Sequence, residues 1–153
     1  MEVLLSREDL KRENLQNNMT SNTEEINIQT KYTEEMINIT SSVADAVKKS
    51  GVKEGICCVF IPHTTAAVTI NENADPDVRP DILKGIKSLK LEENTYRHME
   101  GNSPAHIKSS LTGSSQLIII DRGKLLLGTW QGIFFCEFDG PRKRKVYIKA
   151  TGD

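Results

Sequence analysis

The sequence predicts an α+β fold: a single compact domain with an antiparallel or mixed β-sheet core and a few helices. Three observations predict it. Apolar runs of strand length and strand composition crowd the C-terminal half, between Gln116 and Ala150. From residue 26 on, helical periodicity is confined to three short stretches inserted earlier, near residues 41–49, 77–89 and 104–112. The length of 153 residues suits one domain and leaves too little chain for a separate substrate domain.

Residues 1–25 read as a polar N-terminal extension ahead of a domain over 26–153. Val3, Leu4, Leu5, Leu10 and Leu15 can line one face of a helix, but Asn17, Asn18, Ser21, Asn22, Glu24 and Glu25 leave little to bury after it. The apolar part of the opening Met1–Glu8 is too short and too acidic for a signal peptide. Ile26, Ile28 and Thr30 alternate with Asn27, Gln29 and Lys31, so the first strand is expected over 26–32. Thr40 or Ser41 as a cap, then Val43, Ala44, Ala46 and Val47, two lysines and Gly51, predict a helix over 41–49.

From Gly55 to Ile61 the run Ile-Cys-Cys-Val-Phe-Ile is apolar on both faces, as in a central strand, and Pro62 ends it. Ala66–Ile70 is a further strand. Asp75-Pro76, with Pro80 as an alternative start, opens a helix over 77–89 whose buried stripe is Ile82, Leu83, Ile86 and Leu89. Residues 90–103 show no period and form a long loop, the kind of segment on which sites are carried. Ser103 as cap and Pro104 in the first turn start a short helix over 104–112, with Ile107 and Leu111 inward and Gly113 as its stop. Strands at 116–120, 124–127, 132–138 and 145–150 complete the chain, the first two joined by Asp121-Arg122-Gly123.

Composition narrows the function. Lysine and arginine number 20 against 21 acids, which argues against a duplex nucleic-acid binder, and 5% aromatics supply few bases for stacking. No window approaches the roughly 18 apolar residues of a membrane span, and a cytoplasmic protein is expected. Cys57, Cys58 and Cys136 are odd in number and hold no C-x-x-C pair, so they read as reduced packing residues.

The three histidines, His63, His98 and His106, carry the chemistry. His63 stands at a strand end after a proline, and His106 lies in the first turn of a helix, where the dipole is expected to keep a ring lone pair available. Any one of them alone satisfies a local hydrogen bond. Together they are candidate metal ligands, in the three-histidine set that leaves a coordination position open, although their spacings match no compact metal motif. Glu72 and Glu100 are the candidate catalytic carboxylates. Asn71, Ser103 and Arg142 are candidate substrate contacts, the last two around an anion held at a helix N-terminus. Lys143-Arg144-Lys145 reads as a solvated strand edge. Trp130, between glycines, is either a core plug or a subunit contact.

Three blocks then point to a family. They are His63-Thr64-Thr65-Ala66-Ala67-Val68-Thr69-Ile70-Asn71-Glu72-Asn73-Ala74-Asp75-Pro76-Asp77-Val78, Tyr96 to Leu111 around Arg97-His98-Met99-Glu100-Gly101-Asn102-Ser103-Pro104-Ala105-His106, and Leu127 to Arg142 around Gly128-Thr129-Trp130-Gln131-Gly132. In this order they resemble the YjbQ-like family, also called the secondary thiamine-phosphate synthase family, over about residues 26–150. The resemblance implies a homotrimer with sites near subunit boundaries. It also implies a weak activity that joins hydroxymethylpyrimidine diphosphate to thiazole phosphate with release of pyrophosphate, and it includes His63, His98 and His106 in the family motifs. A histidine set suits zinc or another transition metal better than magnesium. Two other functions stay open: a metal-dependent hydrolase of a small phosphorylated or amide substrate, and a non-catalytic trimer that binds a metal or small ligand.

Overall fold

The computed structural model describes residues 20–153. The amphipathic helix expected at the start of the chain lies outside the described residues.

Eight strands and three α-helices follow in the order β1 (Thr20–Gln29), β2 (Glu35–Asn38), α1 (Thr40–Ser50), β3 (Gly55–Phe60), β4 (Ala66–Glu72), α2 (Val78–Lys87), α3 (Ser103–Thr112), β5 (Ser115–Asp121), β6 (Lys124–Leu125), β7 (Gln131–Glu137) and β8 (Lys143–Gly152). A single 3-10 turn, Leu91–Glu93, interrupts the long loop before α3. All strand pairs are antiparallel, in a five-stranded sheet of order β1-β8-β3-β5-β6 and a three-stranded sheet of order β2-β7-β4. Among the described residues the α+β class is thus realised as two antiparallel sheets with three α-helices.

Layering follows from which strand faces are apolar. Val59, Ile118, Ile120, Val146 and Ile148 of the larger sheet meet Ile133 and Phe135 of β7, and Val43, Ala46 and Val47 of α1 join the same core. The opposite face of β7 carries Phe134 and Cys136, covered with Met36 and Ala105 by Ile82, Leu83 and Ile86 of α2. Strand β7 is therefore buried on both faces, as its unbroken apolar run requires. Phe134 and Phe135 are fully buried, each contributing about 1.5–3 kcal/mol through removal of its ring from water.

Several elements differ from expectation. Strand β1 begins at Thr20 rather than residue 26, because an edge strand is held by its backbone ladder to β8, and polar side chains do not oppose it. Strand β2, four residues with only Met36 buried, is too short to show a period. Strand β3 is central in its sheet, yet Ile56 and Phe60 on its outer face are exposed in the single chain. Helix α3 buries Ala105, Lys108 and Ser109, whereas Leu111 is exposed. A lysine occupies the inward position because Glu34 and Glu92 each meet its Nζ at 2.5 Å. Leu89, expected in the α2 stripe, lies beyond the helix and is exposed.

Candidate functional site

The site is built where β3 ends. Pro62 turns the chain out of the sheet, and His63, Thr64 and Thr65 form one wall of an open cleft of about 360 Å³. The irregular segment before α3 and its first turn supply His98, Glu100, Asn102 and His106, and the segment from β7 into β8 supplies Asp139, Arg142 and Arg144. Three stretches distant in sequence thus meet at the cleft, and two of them bring all three histidines to one place.

The rings of His98 and His106 stand edge to face, with centroids 5.3 Å apart and an interplanar angle of 84°. Glu100 Oε2 is 3.8 Å from His98 Nε2. His63 is held differently: the Lys145 amide donates to its Nε2 at 2.9 Å. Burial of His63 pushes its imidazole below the ordinary value, and the neighbouring Arg144 guanidinium pushes the same way.

Below the cleft lies a buried ion pair. Arg144 Nε and Nη2 donate to Glu137 Oε2 and Oε1 at 2.7 and 2.5 Å, and Arg144 Nη2 also reaches Thr65 Oγ1 at 2.9 Å. Glu137 is fully buried and accepts three further hydrogen bonds, from the Thr30 hydroxyl and the Phe138 and Asp139 amides. This corrects the solvated edge expected for residues 143–145: β8 lies between β1 and β3, and Arg144 faces inward in phase with Val146, Ile148 and Ala150. The period of two is legible in the sequence, and Arg144 is its cationic member. Glu137, closing the apolar strand β7, is the matching signal.

The expected anion grip is partly occupied. Arg142 donates to the Asp139 carbonyl and to Asp139 Oδ2, both at 2.7 Å, leaving a half-exposed guanidinium already paired. Asp139 Oδ2 also accepts from Asn102 Nδ2 at 2.9 Å. Ser103 opens α3, but the Ala105 and His106 amides both point to the Asn102 carbonyl and Pro104 has none. Only the Ser103 amide is left in that first turn for an anion. Asn102 caps the helix without a side-chain bond, and its Oδ1 is buried with no donor, a mark of a site under local constraint.

Asn71 and Glu72 are not brought to the cleft. They close β4, and six residues from Ala66 at about 3.3 Å each put Glu72 some 20 Å along the strand from the cleft wall. Asn71 Oδ1 accepts the Glu72 amide instead. Trp130 is exposed, which rules out the core plug.

A metal requires three or more converging ligands. Among the described residues no group of three His, Cys, Asp or Glu side chains is so placed, and the His63 Nε2 lone pair is already used by Lys145. The three histidines share a cleft without forming a three-ligand cage in the single chain. His98 and His106 are the two whose nitrogens are not held by backbone.

The fold and site define a class: a small α+β protein of two antiparallel sheets with an open histidine cleft at one end. A family model described as UPF0047 protein YjbQ-like matches residues 24–153, and the chain belongs to that family. UPF0047 protein MJ1081 of Methanocaldococcus jannaschii is 56% identical over 126 residues, 82% of this chain and 91% of that protein. UPF0047 protein YugU of Bacillus subtilis is 51% identical over 128 residues, 83% and 97% of the two chains. Among crystal structures, a yjbq/upf0047 family protein from Clostridium acetobutylicum matches with a TM-score of 0.81 at 57% identity, over 83% of this chain and 98% of that one. A YbjQ-like protein from Sulfolobus solfataricus matches at 0.85 and 35%, over 88% and 99%.

Proposed function

We propose that the histidine cleft is the active site of a transferase acting on a small phosphorylated substrate, with the thiamine-phosphate synthase-like condensation as its reaction. The observation that carries this reading is the convergence of His63 from one segment and His98 and His106 from another on one cleft, with Arg142 from a third. A departing diphosphate needs positive charge or protons at its oxygens. Arg142, although paired with Asp139, places a cation at the rim, and His98 and His106, whose nitrogens are not held by backbone, are the proton donors. Glu100 stands beside His98, where a carboxylate can orient the imidazole. Pyrophosphate release should require both substrates and fall at least about 100-fold in His106→Ala, the usual scale for losing an acid–base group. Release that is unchanged in His98→Ala and His106→Ala would overturn the reading.

A second reading, a hydrolase dependent on zinc or another transition metal, is favoured by charge: Arg142 is paired with Asp139 and Arg144 with the buried Glu137, which leaves Glu100 beside His98 as the lining carboxylate without an arginine partner. His98 and His106 would be two of the metal's ligands. Phosphate released from one substrate alone, abolished by chelator, distinguishes this reading; metal bound without turnover leaves a binding protein.

The protein acts as a homotrimer in this proposal, as the family resemblance implies. Ile56 pairs with Ile119 and Cys58 with Leu117 on the outer face of the larger sheet, where Leu117 and Ile119 are 69% and 57% exposed. A continuous apolar patch of this kind is covered in the working assembly, here by further copies of the chain. Its three free cysteines suit a reducing cytoplasm. Sedimentation should give a trimer, and Ile119→Asp a monomer.

A further inference from the structure

His63 differs from the other two histidines in what its ring has already committed. The ladder between β3 and β8 ends at Phe60 opposite Tyr147, and the same register would set residue 62 opposite Lys145. Pro62 stops the ladder there, and the Ile61 amide turns to the Ser114 carbonyl on the other side. The Lys145 amide, on the side of β8 where β3 has ended, is met by His63 Nε2 at 2.9 Å.

That bond fixes the ring chemistry. A backbone N–H can donate only to a lone pair, so Nε2 carries no proton, and in a neutral imidazole the proton is then on Nδ1. Moving it to Nε2 would set two hydrogens face to face and orphan the amide. Ligation of a metal through Nε2 needs the same lone pair, and ligation through Nδ1 needs that proton removed. Arg144, pinned by Glu137 and Thr65, places a permanent cation nearby, which with burial disfavours a second proton on His63. Among the described residues Nδ1 makes no hydrogen bond, and the ring lines the cleft.

We infer that His63 is a fixed neutral hydrogen-bond donor, offering Nδ1–H to an oxygen of the bound ligand, while proton transfer and any metal ligation fall to His98 and His106. The identity of that oxygen as a phosphoryl oxygen rests on the proposed function; the fixed tautomer does not.

The test is a long-range nitrogen–proton correlation spectrum of the full-length protein at about pH 8, where free imidazole is neutral. His63 should show a protonated Nδ1 and an accepting Nε2, and zinc added alone should leave that pattern in place. An Nε2–H tautomer, a mixture of the two, or loss of the Nδ1 proton on adding zinc would overturn the inference. Titration with pyrophosphate then tests the donor: the Nδ1–H signal should shift, and affinity should fall about tenfold in His63→Ala, the equivalent of one charge-assisted hydrogen bond. His63→Asn, whose amide can stand in for Nδ1–H, should recover part of it. Equal pyrophosphate affinity in wild type and His63→Ala overturns the donor role. Failure of pyrophosphate to bind the wild-type protein instead removes the phosphoryl reading of the cleft, while the tautomer spectrum still decides the state of His63.

Discussion

Replacing Arg144 with methionine tests the buried pair beneath the cleft most directly. Arg144→Met keeps most of the aliphatic volume and removes the cation, so Glu137 is left fully buried with only three neutral donors, Thr30 Oγ1 and the Phe138 and Asp139 amides. An uncompensated buried charge costs about 3–5 kcal/mol, a large share of the stability of a single domain. Glu137→Met should cost a similar amount, because it strands the guanidinium and leaves those three donors unmet. In the double variant both charges are gone and only the donors are orphaned, at about 1 kcal/mol each and less for the half-exposed Asp139 amide. The double variant should therefore lose about 2–4 kcal/mol, well short of the sum of the singles, with a coupling energy of at least about 2 kcal/mol. Urea unfolding at one fixed protein concentration, followed by far-UV circular dichroism, measures all four corners of the cycle. Strict additivity, or an Arg144→Met loss under about 1 kcal/mol, would refute the claim that this pair is tightly coupled.

Gly140→Ala should cost more than about 2 kcal/mol or prevent folding, since a Cβ there would lie against the Tyr32 carbonyl oxygen and 2.9 Å from both Glu137 Cγ and Thr30 Oγ1; thermal unfolding reads it. Lys108→Met should destabilise by about 1–3 kcal/mol near pH 7, because Glu34 and Glu92 lose their shared partner but remain partly hydrated. The Lys108 ammonium is raised by the two carboxylates despite its burial, so its contribution is complete below its usual 10.5 and fades as pH rises past its folded value. Glu92 is lowered by Lys108, so its share is present above 4.5 and is lost on acidification; the stability gap to Lys108→Met should close at both ends. Burial pushes the Cys57 and Cys136 thiols up to about 12, so a maleimide at pH 8 should spare both in the native protein and label them only after unfolding, as mass spectrometry would show.

The sequence carried most of the fold because local rules and final environment agreed in most elements. Gly51, at φ 78°, stops α1 where a glycine was expected, and Arg122 and Gly123, at φ 49° and 75°, make the tight β5–β6 turn. Apolar phase placed β3, β4, β5, β7 and β8 to within a few residues. Disagreement arose where a charge took an apolar position. Lys108 sits on a buried face because Glu34 and Glu92 from other segments meet it, outside any local window, and Arg144 because the β7–β8 connection folds Glu137, seven residues away, back against it.

The site divides in the same way. The residue types, three histidines with Glu100 and Arg142 in or beside irregular segments, were legible as chemistry before any geometry. Asn71 and Glu72 were legible as polar residues after a strand, but strand length carries them away from the cleft. By itself the sequence determined the fold class, the strand phases and the reactive side chains, since these depend on backbone preference and on apolar pattern over a few residues. Only the tertiary structure decided that His63, His98 and His106 share one cleft, that Arg144 lies buried against Glu137, and that the Lys145 amide holds His63 by Nε2. Those outcomes depend on where chain segments up to 82 residues apart meet and on which hydrogen-bonding groups the ladders leave unmatched.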